Sequence, residues 1–245
     1  MNAVIQQTKA EVLRMFRNPY YLFWSLLMPI VFYYLFTNIF NTDITGKEEW
    51  QGHYLMSMAS FSVMGSSIMT LGIRLVQERN QGWSMYIRTV PLPGWIFFFA
   101  KMAGQTAVHF FSILLIFTAG VLLNGVSFSA AVWASAGLWI LLASFPFLAL
   151  GTLIGTMRRV DTATGVSNFV YLGLAITGGM WMPLEMLPQI LQGIGKWLPG
   201  YHYGSGAWSI IRGNSPNLEN ILILAAYLLV FMILSVYIRR KQEAV

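Results

Sequence analysis

The sequence predicts an all-α polytopic membrane protein with six transmembrane helices, and three observations carry that reading. Of 245 residues, 56% are hydrophobic and only 10% are charged, against about 25% charged in a typical soluble domain. Met102 to Met157 contains no Asp, Glu, Lys or Arg; as one helix it would be ~84 Å long, far beyond a ~30 Å hydrocarbon core, so it must fold back. Finally, when the apolar runs are threaded as alternating crossings, twelve of the 15 Lys and Arg residues fall on one side. That bias marks the cytoplasmic side under the positive-inside rule.

Residues 1–17 form the lead-in. Val4, Ile5, Thr8, Val12, Met15 and Phe16 cluster on one side of a helical wheel, with Gln6, Gln7, Arg14 and Arg17 on the other. This is the pattern of an amphipathic helix lying in the membrane interface. Lys9 falls within the apolar arc and needs its stem to snorkel; a plain helical lead-in that orients the first span is the alternative. With Lys9, Glu11, Arg14 and Arg17 in this segment and no apolar core, no cleavable signal peptide is expected.

The spans are expected at about residues 20–40, 53–73, 102–123, 129–157, 162–182 and 219–238, within a single transmembrane domain covering 1–245. The third and fourth meet at the turn dipeptide Asn124-Gly125. Six crossings place both termini in the cytoplasm, with Lys47, Lys196 and Arg212 outside. Spread over several cytoplasmic segments with no stacking platform, the basic residues read as topology anchors and not as a nucleic-acid surface. The absence of cysteine excludes disulfides, thiolate catalysis and Cys-based metal sites.

Two segments that do not cross carry the functional signal. Between spans two and three, Gly82 breaks the helix; Trp83, Ile87 and Tyr86 give an apolar side at helical spacing before Pro91 and Pro93 end it. A short surface helix with large apolar anchors and exposed charges suits docking into a cleft on a partner. On the outer side, Leu184, Leu187, Leu191, Ile194 and Leu198 recur at helical spacing, followed by expected kinks at Pro199 and across Gly200 to Gly206. Such a helix fits a membrane surface or a half-entered hairpin able to cap a pathway.

At these residues the chain resembles the type-2 permeases of ATP-binding-cassette (ABC) transporters. Glu78-Arg79, two spacers, Gly82, Trp83 and Thr89-Val90-Pro91 look like that family's E-R-x-x-G...T-x-P loop. The likeness extends to Arg17-Asn18-Pro19, to Met28-Pro29 in the first span, to the run from Gly178 through Pro183, Glu185 and Pro188, and to Pro199-Gly200-Tyr201 before the last span. Ser84 and Gly200 depart from the family pattern. The resemblance implies six-span subunits that pair as homodimers or heterodimers, with two copies of a separate ATPase subunit carrying ATP and Mg. It also implies that the loop is a coupling helix, with Glu78, Arg79, Gly82, Trp83, Arg88 and Pro91 as coupling residues. Arg14 and Arg17 would lie nearby, able to pair with Glu78 or the ATPase. Pro183, Glu185, Pro188, Pro199 and Tyr201 would form the outer re-entrant segment.

The chain's own chemistry is expected to be absent. A phosphate-binding G-x-x-x-x-G-K-[ST] loop is missing; Gly193-Ile194-Gly195-Lys196-Trp197 lacks the first glycine and the hydroxyl. His53, His109 and His202 are far apart in sequence and show no metal spacing. His109, inside span three, is either a proton relay or a hydrogen-bonded packing histidine. Gly151, Gly155, Gly165, Gly173, Gly178 and Gly179 serve either packing within the subunit or a dimer seam. The expected function is thus the permease half of a plasma-membrane exporter, not itself an enzyme and with no bound cofactor. Its cargo would be hydrophobic or amphipathic (drug, antibiotic or lipid-like), since the spans carry only scattered Thr37, Asn38, Ser57, Ser60, Thr70 and Ser144. A secondary transporter, which would want intramembrane ionisable groups, and a noncatalytic scaffold or sensor accessory are the competing readings.

Overall fold

The computed structural model describes residues 2–17, 19–40, 46–82 and 94–243, and these are all-helical. Helix α1 spans Asn2–Phe16, and α2 spans Pro19–Tyr34 and continues as a π-helical turn, Leu35–Ile39. A 34-residue rod, Lys47–Asn80, is built of α3 (Lys47–Gly65), a second π segment (Ser66–Leu71) and α4 (Gly72–Asn80). Next come α5 (Gly94–Asn124), α6 (Ala130–Leu142), α7 (Phe145–Ile154) and α8 (Val160–Thr177). A 3₁₀ turn at Leu184–Met186, short α9 (Gln189–Gly195), α10 (Pro199–Ile211) and α11 (Leu218–Glu243) complete the chain.

Among the described residues, four helical stretches are long and apolar enough to cross a membrane: Lys47–Asn80, Phe99–Asn124, Ala130–Ile154 and Leu218–Gln242. A shorter apolar piece, Leu27–Ile39, lies where the first span is expected, and α8, where the fifth is expected, has 18 residues. The rod is the axis of the bundle: 72% of its most apolar window is buried, against 11% for Leu218–Gln242. Along α11, Leu222, Leu229, Ile233 and Tyr237 stay exposed, as suits a helix whose outer face meets lipid.

Several boundaries differ from the expectation, each for a local reason. Asn124-Gly125 ends α5 as expected, with Gly125 at φ +64. The fourth apolar run, however, breaks at Ala143-Ser144, because Pro146 in the first turn of α7 has no N–H to continue the ladder. The leucine series from Leu184 to Leu198 is not one helix, since Pro188 separates the 3₁₀ turn from α9. Conversely, Pro199 to Gly206 does not kink. Pro199 sits in the first turn of α10, where proline is tolerated, and the glycines are contact points: a Cβ on Gly200 would lie 2.5 Å from the Leu174 carbonyl, and one on Gly206 2.2 Å from the Trp139 ring.

The same reasoning divides the remaining glycines. Gly151 and Gly155 are used within the subunit, as a Cβ would meet the Ser67 carbonyl at 2.2 Å and Leu75 at 2.7 Å. Gly178 packs on Gly200, whereas Gly165 and Gly173 on α8 face open space.

Candidate functional site

In α4, Arg74 and Glu78 are one turn apart and share a face. Glu78 is buried and gathers three cations: Arg14 Nη1 of α1 at 2.9 Å, Arg74 Nε at 3.1 Å and Lys101 Nζ of α5 at 2.5 Å. Glu11 of α1 completes the cluster, 2.7 Å from Arg74 Nη2 and 3.4 Å from Lys101 Nζ. Glu11 and Lys101 are each 3% exposed. Charges taken so far from water persist only when opposed and hydrogen-bonded, so these contacts fix the relative positions of α1, α4 and α5.

Arg79, the next residue, points about 100° around the helix. It leaves that cluster and donates to the backbone carbonyls of Thr156 and Met157, in the connection between α7 and α8. Asn80 donates to the Arg158 carbonyl at 3.2 Å, and Gln242 of α11 donates to the Thr156 carbonyl at 3.0 Å. The Glu-Arg pair therefore ties the end of α4 to two sides of the bundle at once. Gly82 then ends the helix at φ +76, a left-handed conformation in which no described residue approaches the position an added Cβ would take, so its backbone freedom is what the position requires. Trp83, Arg88 and Pro91 lie outside the described residues. Arg17 is exposed just after α1.

Midway along the rod, the π segment carries a second buried polar group. Ser67 Oγ donates to the Val63 carbonyl one turn back and lies 3.2 Å from His109 Nε2, while Ser144 Oγ lies 3.4 Å from His109 Nδ1. Gln105 donates to Ser66 Oγ and, at 3.3 Å, to the Ser66 carbonyl. Side-chain competition for backbone carbonyls at Ser66-Ser67, beside Gly65 and Gly72, fits the local widening of the helix. His109 thus joins α5 to the π segment and to the α6–α7 break through its two ring nitrogens.

At the opposite end, α10 is buried among α3, α6, α8 and α11. Trp139 Nε1 donates to the Tyr203 carbonyl, Tyr203 Oη to the Ile140 carbonyl, and Trp208 Nε1 to Ser57 Oγ. His202 lies 2.8 Å from both Asn220 Oδ1 and the Lys196 carbonyl, clipping α10 to its neighbours on either side. Beside α10 a cavity of about 380 Å³ brings Pro183, Glu185 and Tyr201 together with the start of α3. Pro188 and Pro199 stay outside that lining and act as helix-start residues.

Arg14, expected near the coupling site, meets the expected coupling residue Glu78 directly, and Arg79 stands beside them with different partners. Glu11, Arg74 and Lys101, which complete the cluster, were not expected there. Glu11 was the most findable: it follows Thr8 by three and precedes Met15 by four, so it lies on the apolar arc where a lone carboxylate needs a partner. No cluster of three or more His, Cys, Asp or Glu able to hold a metal occurs among the described residues.

An all-helical bundle with four helices long and apolar enough to span a bilayer, among the described residues, defines a membrane protein. Residues 43–237 match the model of the ABC-2 family transporter proteins. The chain is also 58% identical, over all 245 residues and the full length of both proteins, to "Putative transport permease YvfS" of Bacillus subtilis (strain 168). The chain belongs to the ABC-2 transporter family.

Proposed function

We propose that this chain is the permease subunit of an ABC exporter, moving a hydrophobic or amphipathic cargo with ATP hydrolysed, with Mg, on a separate nucleotide-binding subunit. The observation that carries this reading is the split anchorage of Glu78 and Arg79. A loop that only connected two helices would need no such fixing, whereas a loop that receives a push must be rigidly tied to what it moves. Glu78 links the loop to α1 and α5, Arg79 to α7, α8 and, through Thr156, to α11.

In this arrangement the loop after Gly82 is the coupling helix, with Trp83, Arg88 and Pro91 against the ATPase and Arg17 beside it. The basic end is cytoplasmic, α2 and α8 supply the first and fifth of six crossings, and α1 lies in the inner interface of the plasma membrane. Segment 183–211, with α10 at its end, enters the outer leaflet, its backbone covered by neighbouring helices as a non-spanning element at membrane depth requires. Two permeases, identical or paired with a second six-span chain, sit on two ATPase copies. ATPase closure shifts the balance between inward-open and outward-open states of the bundle.

The test is to look for an ABC ATPase gene adjacent to this one, co-express the two, and measure co-purification and transport. Wild type is expected to retain the ATPase and move cargo, while Arg88→Ala loses docking and Arg79→Ala docks but transports poorly. Both variants behaving as wild type would remove the coupling assignment.

A further inference from the structure

The cavity beside α10 has a composition that selects a ligand class. Its walls hold the aromatic rings of Trp50, Tyr201 and Trp208, together with the carboxylate residues Glu49 and Glu185. His53 stacks on Trp208 with ring centroids 4.5 Å apart and on Trp50 at 5.9 Å, so the rings form a continuous wall. Arg212 is the cation of the lining, and it is already engaged: its Nε lies 3.8 Å from Glu49 and its Nη2 3.3 Å from His53 Nδ1. Glu185 has no ion-pair partner among the described residues; the contact there is between Gln192 and its backbone carbonyl. Counting side-chain charges, two carboxylates against one guanidinium leave the cavity with a net charge of −1.

Aromatic faces attract cations through their quadrupole, most strongly where water is partly displaced, and a carboxylate at the rim adds direct attraction. An anion would meet ring faces and a guanidinium already shared between Glu49 and His53. Glu185 is exposed at the rim, so a neutral apolar molecule would gain nothing from it, whereas a cation would gain its direct attraction.

We propose that this cavity binds the ammonium group of a cationic amphipath, with Glu185 opposing the charge and Trp50, Tyr201 and Trp208 supplying the aromatic wall. This rests on the permease reading, whose cargo class it narrows from amphipathic to positively charged amphipathic. The cavity would then be where the cargo's head is held at the outer end of the bundle.

The experiment is isothermal titration calorimetry on the full-length permease in lipid nanodiscs, without ATPase. The probes are hexyltrimethylammonium, hexyl sulfate and hexyl glucoside, which share one short tail and differ in head group. Saturable binding of the ammonium at least about tenfold tighter than the sulfate or the glucoside is expected. Glu185→Gln should weaken it about tenfold while Glu185→Asp retains most of it, and Lys196→Gln, a nearby exposed charge outside the lining, should change nothing. Equal affinity for the three head groups, tighter binding of the sulfate, no saturable binding, or an unaffected Glu185→Gln would each overturn the proposal. Because no ATPase is present, such a result leaves the coupling assignment standing; loss of that assignment in the co-purification test leaves a measured head-group preference standing.

Discussion

At the basic end of the bundle, Lys101 is buried to 3% exposure between Glu11 and Glu78. At the other end, the ion pair Arg212–Glu49 spans 3.8 Å with both side chains more than half exposed, and the buried polar groups are neutral or ring-stacked: Trp208 on Ser57, Tyr203 on Ile140, His53 against Trp208. The difference is one of stiffness. Opposed charges in a dry site are costly to separate, so α1, α4 and α5 move together or not at all. Breaking a neutral hydrogen bond costs about 1 kcal/mol, against about 3–5 kcal/mol for breaking a buried charge pair. Under the proposed coupling, the stiff end is where the push arrives and the softer end is where the bundle yields.

The largest expected effect follows from breaking the stiff end. Lys101→Met removes the charge shared by two buried carboxylates and should destabilise the fold by about 3–5 kcal/mol, read as a drop in unfolding midpoint in mixed micelles. Adding Glu11→Gln to that variant should destabilise further, because it removes the carboxylate that still pairs with Arg74 at 2.7 Å and takes the cluster from zero net charge to +1; no further loss would argue that the Glu11–Arg74 pair contributes little.

Next comes a comparison of glycines on two faces. Gly151→Ala drives a methyl into the Ser67 carbonyl at the π segment, and such overpacking costs about 1–3 kcal/mol. Gly165→Ala, in open space on α8, should be neutral or gain up to about 1 kcal/mol from helix propensity. Thermal unfolding of the two variants side by side checks this, and equal losses would mean that Gly165 is covered.

The smallest effect belongs to the yielding end. Trp208→Phe keeps most of the ring but removes the hydrogen bond to Ser57, for a loss of about 1 kcal/mol. A loss as large as that of Lys101→Met would erase the distinction between the two ends.

Much of this plan was legible in the sequence because charge-free runs and turn residues are local signals. Asn124-Gly125 ends α5 where the dipeptide predicts, and α1 ends beside Arg17 as the amphipathic pattern requires. What stayed hidden was long-range or ambiguous by nature. Glu11 and Lys101 are 90 residues apart, and no periodicity reports such a pairing. The break at Ala143-Ser144 lies in a uniformly apolar run whose hydropathy does not change across it. Gly200 to Gly206 read as a breaker because glycine weakens an isolated helix; once α10 is packed, the same residues permit backbone contact with Leu174 and Trp139. The Glu-Arg pair was visible as a motif, but that its members face different neighbours emerges only when the helix is set among the others.

The central claim is that the loop after Gly82 faces the cell interior and meets the ATPase. The chain contains no cysteine, so Trp83→Cys supplies a single reporter without further engineering. A membrane-impermeant maleimide is expected to label this variant in inside-out vesicles and not in intact cells, and bound ATPase should slow the labelling. Rapid labelling from outside intact cells would contradict the account.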